Sequence, residues 1–284
     1  MGLRHYLKLL RVSQWYKNLV VFLALFFSGN GTDAEYVITT IIAFFSLCLI
    51  SSGNYVINDL IDLKRDRLHP EKKYRMLPSG KVRIFAAIVL AVLSLLMGFA
   101  IAVTLSTQFL VATVWLFLLT LAYSLWLKQV LFADILTIGT LFVIRAMAGA
   151  FVIDVQVSPW LILCPFFLSL FLSVGKRHSE VHLLGEKAGA TRRVLLEYTP
   201  DLTTSLMVIS TTLLIISYAL YSFLSEHANL IYTLPFALFV IFRFYYLITS
   251  GNVIGRQAQK FIFDWPLVVG LLLWVIVTGM VLYG

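Results

Sequence analysis

Asn58-Asp59-Leu60-Ile61-Asp62-Leu63-Lys64-Arg65-Asp66 closes a long apolar segment with three carboxylates and an amide. Successive residues of an α-helix turn by about 100°, so Asp59, Asp62 and Asp66 are expected on one face. Three close carboxylates repel one another unless a cation offsets their charge, and hard oxygen ligands suit Mg²⁺ held jointly with a phosphate-bearing substrate. The stretch predicts a metal and diphosphate site at a membrane surface. The alternative is a solvated helix end whose acids are balanced by neighbouring basic residues.

The composition of the chain excludes an ordinary soluble domain. Of its 284 residues 60% are hydrophobic and 13% are charged, whereas roughly a quarter of a typical soluble protein is charged. We therefore expect an all-α integral membrane protein that forms a single catalytic domain over residues 1–284. Apolar runs long enough to cross a bilayer predict about nine transmembrane helices: 15–29, 36–57, 83–104, 109–126, 131–153, 157–175, 203–223, 229–249 and 264–283.

The placement of charge predicts the orientation, because cytoplasmic loops carry an excess of Lys and Arg. With a cytoplasmic N-terminus, the inside segments hold most of the 22 Lys and Arg residues. The outside loops near 30–35, 105–108, 154–156 and 224–228 hold none. Basic inner loops beside anionic lipids explain the net charge of +8 without nucleic acid. The inside segments are 1–14, 58–82, 127–130, 176–202 and 250–263.

The two longest inside segments are the candidate functional regions. A metal-bound phosphate substrate also needs cationic side chains for the oxygens that the metal leaves free, and we expect Lys73 and Arg75 in that role. In the second segment, Lys176 and Glu180 form a helical pair, or Lys176 and Arg177 bind a second anionic group. His178 and His182 have a spacing suited to a transition metal, but the sequence shows no third ligand.

Three further basic residues have two interpretations each. Arg145 is expected deep in a span, either in a structural ion pair or in contact with an anion at a cavity wall. Lys128 is either a positive-inside anchor or reaches back over the acidic segment. Lys17 either extends to the interface beside Trp15 or contacts phosphate. The two cysteines, which have no neighbours at metal-ligand spacing, are expected to be packing residues.

The acidic motif, its basic continuation and Leu77-Pro78-Ser79-Gly80 together resemble the UbiA-type superfamily of intramembrane prenyltransferases. That resemblance covers essentially the whole chain and implies a helical bundle around a central cavity, here open to the cytoplasmic side. Typical members carry a second Asp-rich motif after the sixth helix, where this sequence has Gly175-Lys176-Arg177-His178-Ser179-Glu180. With that basic replacement, the chain is similar to the decaprenyl-phosphate phosphoribosyltransferase branch. Further motifs that carry this similarity are Gln14-Trp15-x-Lys17-Asn18, Tyr123-Ser124-x-x-Leu127-Lys128, Ile144-Arg145-Ala146-x-Ala148-Gly149 and Tyr198-Thr199-Pro200.

The resemblance implies an enzyme of the inner (plasma) membrane that transfers 5-phosphoribose from phosphoribosyl diphosphate to a polyprenyl phosphate, on a route to arabinose-donating lipids of the cell wall. Mg²⁺ is the implied cofactor, held by Asp59, Asp62 and Asp66, with Asn58 orienting the cluster. The implied partners are the donor, the lipid phosphate and membrane lipids. Whether the chain forms a homo-oligomer stays an open question. The candidate substrate contacts are Lys17, Lys73, Arg75, Tyr123, Lys128, Arg145, Lys176, Arg177 and Glu180.

Two other functions remain as alternatives. One is a UbiA-type prenyltransferase that moves a prenyl group from a prenyl diphosphate to an aromatic acceptor; the missing second Asp motif argues against it. The other is a small transporter or channel. A conduction path should place polar groups through the whole membrane thickness, whereas the ionisable residues here cluster at one face.

Overall fold

The structure is a computed structural model that describes residues 3–68, 72–184 and 193–284. The predicted functional segments 58–82 and 176–202 contain residues 69–71 and 185–192, which lie outside the described residues. The described chain forms these α-helices: α1 Leu3–Leu9, α2 Phe22–Phe27, α3 Ala34–Ile61, α4 Leu63–Leu68, α5 Ile84–Leu105, α6 Thr107–Leu125, α7 Ala133–Val152, α8 Pro159–Leu184, α9 Pro200–Leu224, α10 Leu234–Thr249, α11 Val253–Arg256 and α12 Trp265–Tyr283. Single 3₁₀ segments lie at Val12–Val21, Lys72–Tyr74, Leu127–Gln129, Arg193–Leu196, Ala228–Thr233 and Ala258–Phe263.

The expected all-α membrane architecture is confirmed. Among the described residues, eight helices are long and apolar enough to cross a membrane. They match the second to ninth predicted spans. The first predicted span, 15–29, corresponds to the shorter apolar stretch Val12–Phe27, which is 3₁₀-helical up to Val21. The predicted number of nine is therefore not confirmed.

Several helices begin where the sequence supplies an oxygen for the free N–H groups of the first turn. Asp33 accepts from the backbone N–H of Glu35 at 2.8 Å and caps α3. Ser106 caps α6 in the same way, and Thr199 caps α9 just before Pro200, which needs no hydrogen-bond partner at that position. These caps separate consecutive spans and fix where each helix starts.

The chain divides into two compact units, described here one at a time. The first comprises Met1–Val130 and Ile144–Val157, and in it α3 packs chiefly against α5. Small residues allow this approach: a Cβ on Gly98 would lie 2.7 Å from Ile50, and the Ser46 hydroxyl donates to the Gly98 carbonyl at 2.7 Å. Close helix contact of this kind fixes the middle of α3, and the acidic motif follows at the C-terminal end of the same helix.

The second unit comprises Leu131–Val143 and Ser158–Gly284. Its helix α8 packs chiefly against α9, and α10 packs against α12. A core of buried apolar side chains, among them Phe171, Met207 and Ile248, joins α8, α9 and α10. Because α8 continues to Leu184, nine residues beyond the predicted end of that span, Lys176, Arg177 and Glu180 lie on the helix rather than in a loop. The helix extends because Lys, Arg, His and Glu continue it as readily as the apolar residues before them.

Candidate active site

The acidic motif spans the junction between α3 and α4. A turn at Asp62 interrupts the single helix expected from the sequence. The helical hydrogen-bond spacing nevertheless continues through the turn. The N–H of Asp62 donates to the carbonyl of Asn58 at 2.9 Å, and the N–H of Asp66 donates to that of Asp62 at 2.8 Å. Asp59 and Asp66 are both only 3% exposed, whereas Asp62 and Asn58 are half-buried.

Arg75 joins the buried acids Asp59 and Asp66, and Arg11 pairs with Asp59 as well. One guanidinium nitrogen of Arg75, Nη1, donates to Asp66 Oδ2 at 2.8 Å and to Asp59 Oδ1 at 3.3 Å. Nη2 of Arg11 forms a second ion pair with the same Asp59 oxygen. Both carboxylates thus lie within hydrogen-bonding distance of one nitrogen atom, so Asp59 and Asp66 converge, and a common face for all three acids stays a prediction. Arg75 was expected near this cluster and Arg11 was not.

Lys128 neutralises the third carboxylate. Its Nζ contacts the two oxygens of Asp62 at 2.7 and 2.8 Å and the Asn58 side-chain oxygen at 3.3 Å. Lys128 is 5% exposed and sits in the 3₁₀ turn after α6. Of its two interpretations, the structure supports the one in which this lysine reaches back over the acidic segment.

The donor chemistry of this cluster fits a hard divalent cation. Mg²⁺ is usually held by one or two carboxylates together with substrate phosphates and water, and Asp59 and Asp66 supply two convergent carboxylates. Among the described residues, no three His, Cys, Asp or Glu side chains come together as a metal site. All three aspartates are paired with Arg or Lys side chains, so a metal site built from all three stays a prediction.

Arg145 lies in a second buried polar cluster of the same unit. Its Nε donates to the side-chain oxygen of Asn18 at 2.8 Å, and that amide in turn contacts the thiol of Cys48 at 3.3 Å and the hydroxyl of Ser51 at 3.4 Å. Arg145 is 5% exposed. This hydrogen bond to a neutral amide fixes the position of the guanidinium, and contact with an anion stays a prediction.

Three other residues that were predicted to contact substrate take no part in the ion pairs described for the acidic segment. Lys17 is half-buried on the first 3₁₀ segment, and Tyr123 is half-buried on α6. Lys73 is exposed, with its ammonium 5.1 Å from the ring centre of Tyr74. In the part of the chain that the structure describes, the ion pairs of the motif include Arg75 and Lys128 but neither Lys17 nor Lys73.

The basic motif on α8 belongs to the second unit. Arg177 is 2% exposed; its Nε donates to Asp134 Oδ2 at 2.8 Å, and its Nη1 pairs with Glu180. Lys176 is exposed and lies 4.0 Å from Glu180, so the predicted helical pair is present. Arg177 thus sits between two carboxylates. Lys176 is the more accessible of the two basic residues, and binding of a second anion by this motif stays a prediction.

Asp134 is completely buried at the start of α7 and has a second partner. The hydroxyl of Tyr198 donates to Asp134 Oδ1 at 2.6 Å and accepts from the N–H of Phe132 at 3.3 Å. Burial and this hydrogen bond to a carboxylate raise the pKa of Tyr198, so the phenol stays protonated. Asp134 therefore fixes Arg177 and Tyr198 together, and Arg177 in turn holds Glu180.

Sequence reasoning gave no site role to three residues of these networks: Arg11, Asp134 and Tyr198. Arg11 resembled one more positive-inside charge of the N-terminal segment. Asp134 offered a usable signal, because a carboxylate at the start of an apolar span needs a partner. The paired histidines show no metal set: His178 bonds Thr203 at 3.2 Å, and the described residues contain no third ligand.

Comparison with known proteins agrees with this fold. The profile of the UbiA prenyltransferase family matches residues 18–263. Decaprenyl-phosphate phosphoribosyltransferase of Mycolicibacterium smegmatis is 30% identical, with 98% of this chain and 92% of that protein aligned. The enzyme of the same name from Corynebacterium glutamicum is 33% identical over 78% of this chain and 69% of its own length.

The fold is also that of solved UbiA homologues. The structure of a UbiA homologue from Archaeoglobus fulgidus bound to GPP and Mg²⁺ superposes with a TM-score of 0.75, covering 99% of this chain and all of that chain at 18% identity. The chain is therefore a multi-pass membrane transferase. It belongs to the UbiA prenyltransferase family.

Proposed function

We propose that the protein transfers 5-phosphoribose from phosphoribosyl diphosphate to a polyprenyl phosphate and releases pyrophosphate in a Mg²⁺-dependent reaction. The observation that carries this proposal is the near full-length match to a relative named for that reaction. The charge of the site supports it. A sugar diphosphate donor with its own phosphate, together with a lipid phosphate, presents three anionic groups, and basic residues replace the family's second Asp motif.

The chain's own residues account for the binding of a diphosphate. Asp59 and Asp66 supply the carboxylates that would hold Mg²⁺, and the bound ion would neutralise charge on a departing pyrophosphate. Arg75 and Lys128 already lie at the same motif, so their N–H groups are close enough to contact phosphate oxygens. The acceptor phosphate is ionised at neutral pH and therefore needs no general base. Attack of its oxygen on the sugar C1, opposite the departing pyrophosphate, inverts that carbon.

The basic motif on α8 is proposed as the second anion site. Lys176 is the exposed cation there, and Glu180 limits its freedom. Arg177 supports the motif from inside the helix bundle of its unit, through Asp134. Arg145, Lys17, Lys73 and Tyr123 stay candidate contacts for the 5-phosphate and the lipid phosphate.

The test is pyrophosphate release by purified protein in detergent. The reaction contains phosphoribosyl diphosphate, a polyprenyl phosphate and Mg²⁺. We expect release that requires all three and is lost with Asp59→Asn or a chelator. Asp201→Asn, which removes an exposed carboxylate on α9, is the matched control and should retain activity. Pyrophosphate release that does not require the lipid phosphate, or that persists in Asp59→Asn, would contradict the proposal.

A prenyl transfer is the second candidate, because the superposed A. fulgidus homologue is bound to GPP and Mg²⁺. The same preparation given geranyl diphosphate and an aromatic acceptor tests it. Turnover of that pair, with none of phosphoribosyl diphosphate, would favour the second candidate. A channel or transporter should be insensitive to Asp59→Asn and to metal removal.

We also propose that the site opens to the cytoplasm of a plasma membrane, with the N-terminus inside. The support is the asymmetric distribution of Lys and Arg between alternate loops. In a background carrying Cys48→Ser and Cys164→Ser, the variants Ser79→Cys and Thr107→Cys should react with an impermeant thiol reagent from opposite sides of the membrane. Labelling of both from the same side would refute this topology.

A further inference from the structure

Arg11 occupies an unusual position for a residue of a positive-inside segment. It lies between α1 and the first 3₁₀ segment with φ 51° and ψ 45°. This left-handed backbone conformation is unfavourable for most residues other than glycine. Leu9, which is 1% exposed, anchors α1 in a core with Val56 and Leu77. The bend at Arg11 turns its side chain onto the acidic end of α3.

The guanidinium of Arg11 follows one face of α3. It pairs with Asp59, and its central carbon lies 5.2 Å from the ring centre of Tyr55, one helical turn earlier. Among the described residues, the ion pairs of Arg11 involve a single carboxylate, whereas Arg75 joins two. The Arg11 side chain is 24% exposed, between 7% for Lys128 and 35% for Arg75. Arg11 therefore combines a single carboxylate partner with partial exposure, and it can leave the cluster by breaking one ion pair.

Among the described residues, the ion pairs of the cluster are electrically balanced. Three carboxylates, Asp59, Asp62 and Asp66, face three cations, Arg11, Arg75 and Lys128. A divalent cation added alone would leave a surplus of positive charge in a poorly solvated place, which is unfavourable. A diphosphate that enters with the metal removes that surplus. Metal and diphosphate are thus expected to strengthen each other's binding by the same factor.

We propose that Arg11 is an internal counterion that competes with the metal for Asp59 and so makes metal binding depend on an accompanying diphosphate. When both ligands are present, the guanidinium exchanges the Asp59 carboxylate for phosphate oxygens, which it binds equally well. The inference rests on the proposed function only in taking the donor to be a diphosphate. In this role Arg11 couples the binding of the metal to the binding of the diphosphate.

The experiment measures Mn²⁺ binding by electron paramagnetic resonance, with Mn²⁺ as the visible probe for Mg²⁺. Full-length protein in detergent is titrated with and without inorganic pyrophosphate. For the wild type we expect pyrophosphate to tighten Mn²⁺ binding at least about tenfold. Arg11→Gln should bind Mn²⁺ without pyrophosphate about tenfold more tightly than the wild type, the size expected for losing a competing charge-assisted hydrogen bond, and should show less enhancement by pyrophosphate.

Two variants serve as controls. Arg67→Gln removes an exposed positive charge from α4 and should match the wild type within about twofold, because surface charges are screened. Arg11→Lys keeps the charge but pairs less well, so its Mn²⁺ affinity should fall between those of the wild type and Arg11→Gln. If Arg11→Gln does not purify as folded protein, the comparison of Arg11→Lys with the wild type still tests whether weaker pairing at position 11 raises the Mn²⁺ affinity.

Mn²⁺ affinities that are the same within twofold in the wild type, Arg11→Lys and Arg11→Gln would overturn the proposal. Pyrophosphate is the leaving group of both candidate donors, so this result does not depend on which donor the enzyme uses. Repeating the wild-type titration with phosphoribosyl diphosphate or geranyl diphosphate tests donor identity separately. Enhancement by geranyl diphosphate alone would refute the proposed function and leave the role of Arg11 standing.

Discussion

Replacing Asp134 by Asn tests whether the buried network of the second unit holds the basic motif in place. Asp134 is fully buried and accepts from Arg177 at 2.8 Å and from Tyr198 at 2.6 Å. The substitution keeps the size of the side chain but removes the charge opposite Arg177. Breaking a buried ion pair costs about 3–5 kcal/mol. We expect roughly 3 kcal/mol, the lower end of that range, because Glu180 still pairs with Arg177.

A second substitution in the network gives a smaller, coupled effect. Tyr198→Phe removes one hydrogen bond to a charged acceptor, which is worth about 1.5–3 kcal/mol. Because Tyr198 and Arg177 share Asp134, the effects of Asp134→Asn and Tyr198→Phe should not add: the double variant should lose less stability than the sum of the two single losses. Additive losses would mean that the two contacts act independently.

The assay is unfolding in mixed detergent micelles with increasing sodium dodecyl sulfate, followed by the fluorescence of the chain's six tryptophans. Asp201→Asn is the control, since Asp201 is exposed and surface substitutions usually change stability by less than about 0.5 kcal/mol. If Asp134→Asn unfolds at the same detergent fraction as Asp201→Asn, the network does not support the basic motif as described.

Three more predictions follow from other parts of the structure. Lys128→Met leaves Asp62 without its ammonium partner and should lower pyrophosphate release at least about tenfold, measured at saturating Mg²⁺; unchanged release would contradict the role given to Lys128. Gly149→Ala places a Cβ 2.0 Å from a backbone carbonyl oxygen of the first 3₁₀ segment and should cost about 1–3 kcal/mol in the same unfolding assay; a neutral effect would show that this contact relaxes freely. A hydrogen bond from Arg243 lowers the pKa of Asp264 in the folded protein. The stability that this bond contributes is present above the unfolded-state pKa near 3.9 and is lost as the pH falls through the lower folded-state pKa. In Arg243→Gln the free energy of unfolding should therefore depend less on pH below about pH 4, and an unchanged pH dependence would refute this coupling.

Much of the fold follows from the sequence, because a bilayer imposes a simple length rule on apolar segments. For the eight long spans, most of the helix ends were predicted to within a few residues. The rule fails where polar residues continue a helix beyond the membrane, as α8 does from Gly175 to Leu184. It also fails at Val12–Phe27, where a 3₁₀ segment replaces a regular transmembrane helix.

The candidate site was predictable in its acidic half, where the spacing of Asp59, Asp62 and Asp66 carries the signal. The choice of cations was less predictable, because a single sequence does not show which Lys or Arg returns from a distant segment. Lys128 and Asp62 are separated by 66 residues, and Arg11 and Asp59 by 48. Arg177 illustrates the same limit: the sequence did not show that its Nε donates to the carboxylate of Asp134, 43 residues away.

The most direct test of the central claim is detection of the product lipid. Purified protein is given phosphoribosyl diphosphate labelled with ¹⁴C in the ribose, a polyprenyl phosphate and Mg²⁺, and the organic extract is analysed by chromatography and mass spectrometry. The account predicts a labelled lipid heavier than the acceptor by one phosphoribosyl group, absent with Asp59→Asn and present with Asp201→Asn. Label that stays entirely in the aqueous phase, under conditions in which the protein consumes geranyl diphosphate, would contradict it.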